Sequence, residues 1–268
     1  MPDPITSLTN SRVKDLVRLR DRRHRDRSST FLIEGFRELS RARAAGTTIE
    51  TLYICPDLYL GSNEPELVGA IEATGAEVVE LAEAPFRKAS YRDRPEGLLA
   101  VARQFDTNLE SLELSDDPLI LVVEAIEKPG NLGTMLRTAD AAGCDAVIVC
   151  DPTTDPFNPN VVRASTGTLF IVPLAIAGST ETLEFLSARG VRTVATTPDT
   201  SLVYSDADLT GPVAIAIGTE QYGLTDTCLN GADISVRIPM AGQADSLNAA
   251  MAAGITLFEA VRQRARQR

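Results

Sequence analysis

The residues able to do chemistry in this 268-residue chain are concentrated in three glycine-bearing segments. The first is Glu127-Lys128-Pro129-Gly130-Asn131-Leu132-Gly133-Thr134-Met135-Leu136-Arg137, set between an apolar run and a helical pattern. A glycine turn at a helix N-terminus can hold a dinucleotide, and Asp151, 21 residues after Gly130, ends the next apolar run. The spacing G-N-L-G is not G-x-G-x-x-G, however, and Arg137 projects about one and a half turns into the helix. A nicotinamide-dependent oxidoreductase, or a glycine turn that only closes a βα connection, remain the alternatives there. The second segment is Gly218-Thr219-Glu220-Gln221-Tyr222-Gly223-Leu224, directly after Ile215-Ala216-Ile217. It sets small residues and a carboxylate at the carboxyl end of a strand, where α/β proteins bind ligands; Glu220 could equally cap a helix. The third runs from Ile238-Pro239-Met240 through Gly242 to Ser246-Leu247-Asn248 and an alanine-rich helix. Ser246 suits an N-cap, whereas an amide at Asn248 in the first helical turn is poor helix-former chemistry and points to a site.

Other chemistries are closed off by what the chain lacks. Its one histidine, His24, lies in a run of arginines, and Cys55, Cys144, Cys150 and Cys228 form no C-x-x-C pair. Histidine-based triads, Cys-His centres and zinc sites are therefore not expected, and no metal is expected. The net charge of −11 argues at first against nucleic acid, but it is unevenly spread. Residues 1–45 carry +5, residues 46–261 carry −20, and the last seven add four arginines. Arg12, Lys14, Arg18, Arg20, Arg22, Arg23, Arg25 and Arg27 fall within sixteen residues, and Arg87, Lys88, Arg92, Arg94 and Arg103 form a looser group. Basic clusters on an acidic body suggest a polyanion-binding face, against a solvated helix paired internally by Asp15, Asp21 and Asp26. The polar opening residues lack an apolar core of a signal, and the longest uncharged stretch, 164–180, is too short and polar to span a bilayer. With cysteines that form no framework, a cytoplasmic protein with no membrane partner is expected.

The elements that must position these residues fall into two α/β parts. Helical spacing over 13–23, 34–45, 64–74 and 82–89 alternates with strand-like runs at 31–33, 51–55, 77–81 and 98–103. Residues 1–105 thus read as a small α/β domain, and the acidic, weakly patterned 106–117 as a linker with little to bury. In 118–268, strands are expected at 119–123, 146–150, 169–174, 191–195, 213–217 and 235–238. Helices are expected at 131–142 and 180–188, and a long one at 246–266 carries Leu247, Met251, Ile255, Phe258 and Val261 on one face. The continuous apolar runs are those of a buried parallel sheet.

Taken in order, the three segments resemble the SPOUT superfamily of RNA methyltransferases, in its SpoU (TrmH) branch. The family's N-x-G-x-x-x-R matches Asn131, Gly133 and Arg137; its second motif matches Gly218-Thr219-Glu220 and Gly223-Leu224; its I-P-M-x-G-x-x-x-S-L-N matches from Ile238 to Asn248. The first domain, with Ile5-Thr6-Ser7 and Phe31-Leu32-Ile33-Glu34-Gly35, resembles the ribosomal-protein-like substrate-binding domain that often precedes it.

The resemblance implies a homodimeric, S-adenosylmethionine-dependent RNA 2′-O-ribose methyltransferase whose C-terminal region is tied in a deep trefoil knot. It implies a cofactor site at Thr196, Gly218, Ile238, Met240 and Leu247, with main-chain groups of Gly218, Ile238 and Leu247 on the adenine. It implies a catalytic arginine, Arg137, with Asn131, Glu220, Ser246 and Asn248 around it. Because a guanidinium stays protonated, Arg137 is expected to act as a cation that lowers the hydroxyl's pKa rather than as a base. RNA contact is expected from Arg20, Arg22 and Arg23, and from Lys128 and Arg163. The separate first domain favours 23S rRNA as substrate; a tRNA 2′-O-methyltransferase and a non-catalytic RNA-binding factor are the alternatives.

Overall fold

The computed structural model describes residues 3–266; the outermost residues of both expected domains, and Arg268 of the terminal arginine group, lie outside the described residues. In chain order the first elements are α1 (Ser11–Arg18), α2 (Arg22–Ser28), β1 (Thr30–Glu34), α3 (Phe36–Ala44) and β2 (Ile49–Ile54). Next come α4 (Glu64–Glu72), β3 (Glu77–Glu80), α5 (Glu83–Ala89) and β4 (Leu98–Arg103). They are followed by β5 (Leu119–Glu124), α6 (Pro129–Ala142), β6 (Ala146–Cys150), α7 (Pro159–Ser165) and β7 (Leu174–Ala177). The last are α8 (Ser179–Ala188), β8 (Arg192–Thr196), β9 (Val213–Ile217), α9 (Asp226–Gly231), β10 (Ile234–Val236) and α10 (Ala249–Ala265). The single helix expected over 13–23 is two, because Asp21 caps a new one by accepting from the Arg23 amide at 2.8 Å.

These elements form two compact units: residues up to Phe105 together with Asp155–Ile171, and Asp106–Thr154 together with the chain from Val172 onward. The first unit has a four-stranded sheet in the order β1-β4-β2-β3, antiparallel except where β2 meets β3. Val13, Leu16 and Leu19 from α1 and its end, with Phe86 from α5, bury against Leu32 and Leu99 of that sheet. The segment Asp155–Ile171 was expected inside the C-terminal domain, with a strand over 169–174. It instead forms α7 and a short 3-10 turn, Thr168–Phe170, within the first unit. Aromatic packing explains this placement: the Phe31 ring lies 4.9 Å from Phe157 and 6.2 Å from Phe170. Gly167, at φ +89°, turns the chain there, and Pro173 offers no ladder N–H, so the strand begins only at Leu174.

The second unit is built on a six-stranded, wholly parallel sheet in the order β10-β8-β9-β5-β6-β7. Its β5, β6 and β9 are buried at every residue, as their unbroken apolar runs require. The expected linker is not free of this core. Leu109 and Leu112 are buried in it, and the Thr107 carbonyl accepts from the Ile176 amide at 2.8 Å. An unpaired sheet edge at β7 and two apolar side chains on one short turn outweigh the acidic composition.

From β5 the chain leaves through α6 to β6 on one side, and from β9 through α9 to β10 on the other. The loops at the carboxyl ends of β5 and β9 diverge, and a crevice opens between these neighbouring strands. Glu124, the last residue of β5, braces that end. It accepts from the Ser179 hydroxyl at 2.6 Å and from the Thr225 amide and hydroxyl at 2.7 Å each. Burial pushes its carboxyl up, but the bonds from Ser179 and Thr225 outweigh burial and hold it below the ordinary range. A charged Glu124 thereby ties down the starts of α8 and α9. Among the described residues no helix is long and apolar enough to cross a membrane.

Candidate active site

Three elements bring a polar cluster to the β5/β9 crevice. Lys128 caps α6, with Pro129 at its first position, and Asn131 follows in the first turn. Glu220 sits in a tight turn whose ends, Thr219 and Gly223, exchange backbone hydrogen bonds of 2.9 and 3.1 Å. Asn248 is the N-cap of α10, its Oδ1 accepting from the amides of Ala250 at 3.0 Å and Met251 at 3.4 Å. The long helix expected from 246 therefore starts at Ala249, and the amide out of place inside a helix is in place as its cap.

The three side chains meet. Glu220 Oε1 accepts from Asn131 Nδ2 at 2.9 Å and from Asn248 Nδ2, which also donates to Asn131 Oδ1 at 3.1 Å. Glu220 Oε2 pairs with Lys128 Nζ. The hydrogen bonds from Lys128 and Asn131 hold the Glu220 carboxyl below the ordinary carboxylate range. Glu220 is thus an anchor that orients two amides, and a poor proton acceptor.

Beside the cluster lies a cleft of about 400 Å³, a size suited to a nucleoside-sized ligand. All five residues expected at the cofactor, Thr196, Gly218, Ile238, Met240 and Leu247, line it, and so does Ser246. Apolar side chains such as Ile217, Leu229, Val236 and Ile238 and polar ones such as Thr196, Thr197 and Gln221 line it together with the 218–224 turn. At Gly218 a Cβ would coincide with the main chain of Gly223 and Leu224, so only glycine lets the turn fold back and leave the cleft open. Asp199, Glu220 and Asp245 line the cleft, and no lysine or arginine does among the described residues. That lining fits an adenosine carrying a positive sulfonium and amine; it offers nothing cationic to a pyrophosphate, against the nicotinamide alternative. Asp199 and Tyr222 were not singled out in the sequence, because neither belongs to a recurring spacing.

The basic residues divide sharply. Arg137 is exposed on α6, outside the cleft lining, and makes no side-chain hydrogen bond or ion pair among the described residues. Arg163 is likewise exposed and unpaired among them, but on α7 in the first unit. Lys128, expected to meet a phosphate, closes on Glu220. Arg20, expected to meet RNA, instead donates to the carbonyls of Lys88 at 2.8 Å and Ala89 at 3.1 Å and to that of Ser90, satisfying the end of α5. Arg25 is buried, while Arg12 and Arg18 pair with Glu77 and Asp15. Arg22 is exposed and only loosely paired with Asp26 at 3.5 Å, and Arg23 is exposed. Replacing Arg22 and Arg23 together with alanine is expected to weaken RNA binding and flatten its salt dependence, by about one log-log unit for each phosphate left without its arginine. Arg20→Ala is expected to lower stability by about 1–3 kcal/mol instead. Filter binding across a salt series and thermal melts check the pair.

The chain is similar to known proteins both in sequence and in fold. Residues 118–258 match the SpoU rRNA Methylase family, and residues 10–100 match the MRM3-like substrate binding domain. The 23S rRNA (guanosine(2553)-2′-O)-methyltransferase RlmP of Bacillus subtilis is 30% identical, over 95% of this chain and 97% of its own length. A crystal structure of an RNA 2′-O ribose methyltransferase matches with TM-score 0.86 and 44% identity, covering 98% of this chain and 100% of that one. The AdoMet-bound rRNA methyltransferase of Sinorhizobium meliloti matches with TM-score 0.89 and 36% identity, covering 97% of each chain.

Proposed function

This chain belongs to the SpoU rRNA methylase family, and from that membership we propose that it transfers the methyl group of S-adenosylmethionine to a ribose 2′-hydroxyl of 23S rRNA. The observation that carries the reading is the juxtaposition of an acid-lined cleft, free of lysine and arginine among the described residues, with the Asn131–Glu220–Asn248 cluster at the β5/β9 crevice. Thr196, Gly218, Ile238, Met240 and Leu247 would hold the cofactor, which supplies an activated methyl group when bound. The carboxylates of Asp199 and Asp245 suit its positive end.

The protein's own part is to bring a 2′-hydroxyl to that methyl and to stabilise the charge it develops. Asn131, locked by Glu220 and braced by Asn248, and the exposed Ser246 hydroxyl at the cleft orient the ribose. Arg137 supplies a fixed positive charge that favours the alkoxide. Its exposed place on α6 means that the charge acts at full strength only when RNA or a second protomer excludes water from that face. A homodimer is part of the reading. Met251 and Phe258 stand out on α10 at 60% and 47% exposure, a face that a second copy would cover. The knotted C-terminal path also belongs to it, supported by the loops after β9 and β10 lining one cleft. Ribosomal RNA as substrate, with four unpaired buried cysteines, goes with a cytoplasmic location.

Arg137→Lys tests the arginine's role. A charge role predicts turnover near that of the unchanged protein with the same pH profile, against a loss of about 10²- to 10³-fold for Arg137→Ala. Loss in the lysine variant equal to that in the alanine variant would require a specific guanidinium contact. The function itself is tested by mapping 2′-O-methylation in total RNA with and without the protein: one 23S rRNA ribose is expected to lose its methyl group.

A further inference from the structure

The Glu220 carboxylate is used by three parts of the fold at once, and among the described residues its one cation is Lys128. Oε2 faces Lys128, while Oε1 takes the amides of Asn131 and Asn248. The amides have almost no freedom left. Asn248 commits Oδ1 to the start of α10 and Nδ2 to Glu220 and Asn131. Asn131 commits Oδ1 to Asn248 and one N–H to Glu220, leaving its second N–H for a ligand. This arrangement requires a charged carboxylate. A protonated Glu220 would turn a donor toward Lys128 or toward the amide N–H groups, and the amides would lose their common anchor.

Resting on the reading of the site as a ribose 2′-O-methyltransferase, we propose that Lys128 is a positioning residue: by ion-pairing Glu220 it keeps that carboxylate charged, and through it, with Asn248 as the brace, holds Asn131 so that its free N–H can meet the ribose. The groups against Glu220 are Lys128 from the turn before α6, Asn131 from α6, and Asn248 with the Ala249 amide from the start of α10. Asp199 and Asp245 line the same cleft but make no hydrogen bond or ion pair with Glu220 among the described residues. The lowered carboxyl of Glu220, with the Lys128 bond as its largest cause, agrees with this role. Lys128 is 66% exposed, so the pair is partly screened and its effect is modest and salt-sensitive.

The experiment compares Lys128→Met and Lys128→Arg with the unchanged protein in single-turnover methyl transfer to ribosomal RNA, from acid to alkaline pH. For Lys128→Met, transfer on the acid side should fall about two- to fivefold, and the acid limb should move to higher pH. RNA affinity and S-adenosylhomocysteine affinity should stay unchanged, and Lys128→Arg should restore the profile. An unmoved profile overturns the proposal. So does a loss of RNA affinity with a flatter salt dependence and no shift in pH, which would make Lys128 a phosphate contact only. A second readout does not depend on catalysis: the carboxyl ¹³C titration of Glu220, assigned with Glu220→Gln. Lys128→Met should raise its midpoint, and an equal midpoint in both proteins overturns the proposal. If the unchanged protein transfers no methyl to RNA, the functional reading fails, while this titration still decides the role of Lys128.

Discussion

Gly218→Ala should abolish useful cofactor binding. The added Cβ has nowhere to go: it would occupy the space of the Gly223 carbonyl and the Leu224 nitrogen, which are main chain and cannot rotate away. Relief requires the 218–224 turn to open. That moves Glu220 away from Asn131 and Asn248 and displaces the wall of the cleft. A displacement near 1 Å in such a site costs on the order of 100-fold. Methyl transfer should therefore fall by at least about that factor, and calorimetry with S-adenosylmethionine should show weakened binding in parallel. Gly130→Ala is the control, because a Cβ there meets nothing within 4 Å and the residue is helical. It should bind like the unchanged protein. Equal binding by the Gly218 variant would mean that the turn does not form the wall of the cofactor site.

Arg25→Ala should be the most damaging arginine substitution, through folding and not through RNA. The Arg25 and Asp155 side chains are 1% and 7% exposed, with Nε and one terminal nitrogen donating to Asp155 Oδ2 at 2.9 and 2.6 Å. The other terminal nitrogen satisfies the carbonyls of Leu19 and Arg20 at 2.9 and 2.8 Å. Removing the guanidinium strands a buried carboxylate and leaves two carbonyls at the end of α1 with one partner fewer. Breaking such a pair costs about 3–5 kcal/mol. Because Asp155 opens the segment that joins the first unit, amide exchange should accelerate over 155–171 before the parallel sheet is affected. Replacing both partners by apolar residues of similar volume should recover much of the loss. Unchanged protection of 155–171 in Arg25→Ala would show that the Phe31, Phe157 and Phe170 packing alone holds the segment.

These two variants also mark the border between what could and could not be read from sequence. The wall of the cleft was legible because its parts are local: a strand running into Gly218-Thr219-Glu220, and another into Ile238 and Met240, can be read within ten residues. The parallel sheet was legible for the same reason, from the unbroken apolar runs of β5, β6 and β9. The arginine run was not. Arg20 and Arg22 look alike in sequence, yet Arg20 closes the end of α5, 68 residues away or more, and Arg22 stays on the surface. Nothing within 12–27 shows that Asp155 will bury against Arg25, or that 155–171 joins the first unit. Asn248 was half legible. Its type was odd for a helix interior, but its double use as N-cap and as partner of Glu220 depends on a contact across 28 residues. Composition misled at 106–117, where acidity concealed Leu109 and Leu112, two side chains the core takes up.

The most direct measurement is methyl transfer by the purified protein from radiolabelled S-adenosylmethionine to unmodified 23S rRNA, followed by digestion to nucleosides. Label should appear in one 2′-O-methylated nucleoside, at a single position, and should vanish with Gly218→Ala. Binding of the cofactor without any transfer to ribosomal RNA, or label found on a base rather than on a ribose, would contradict the assignment of this site to ribose 2′-O-methylation.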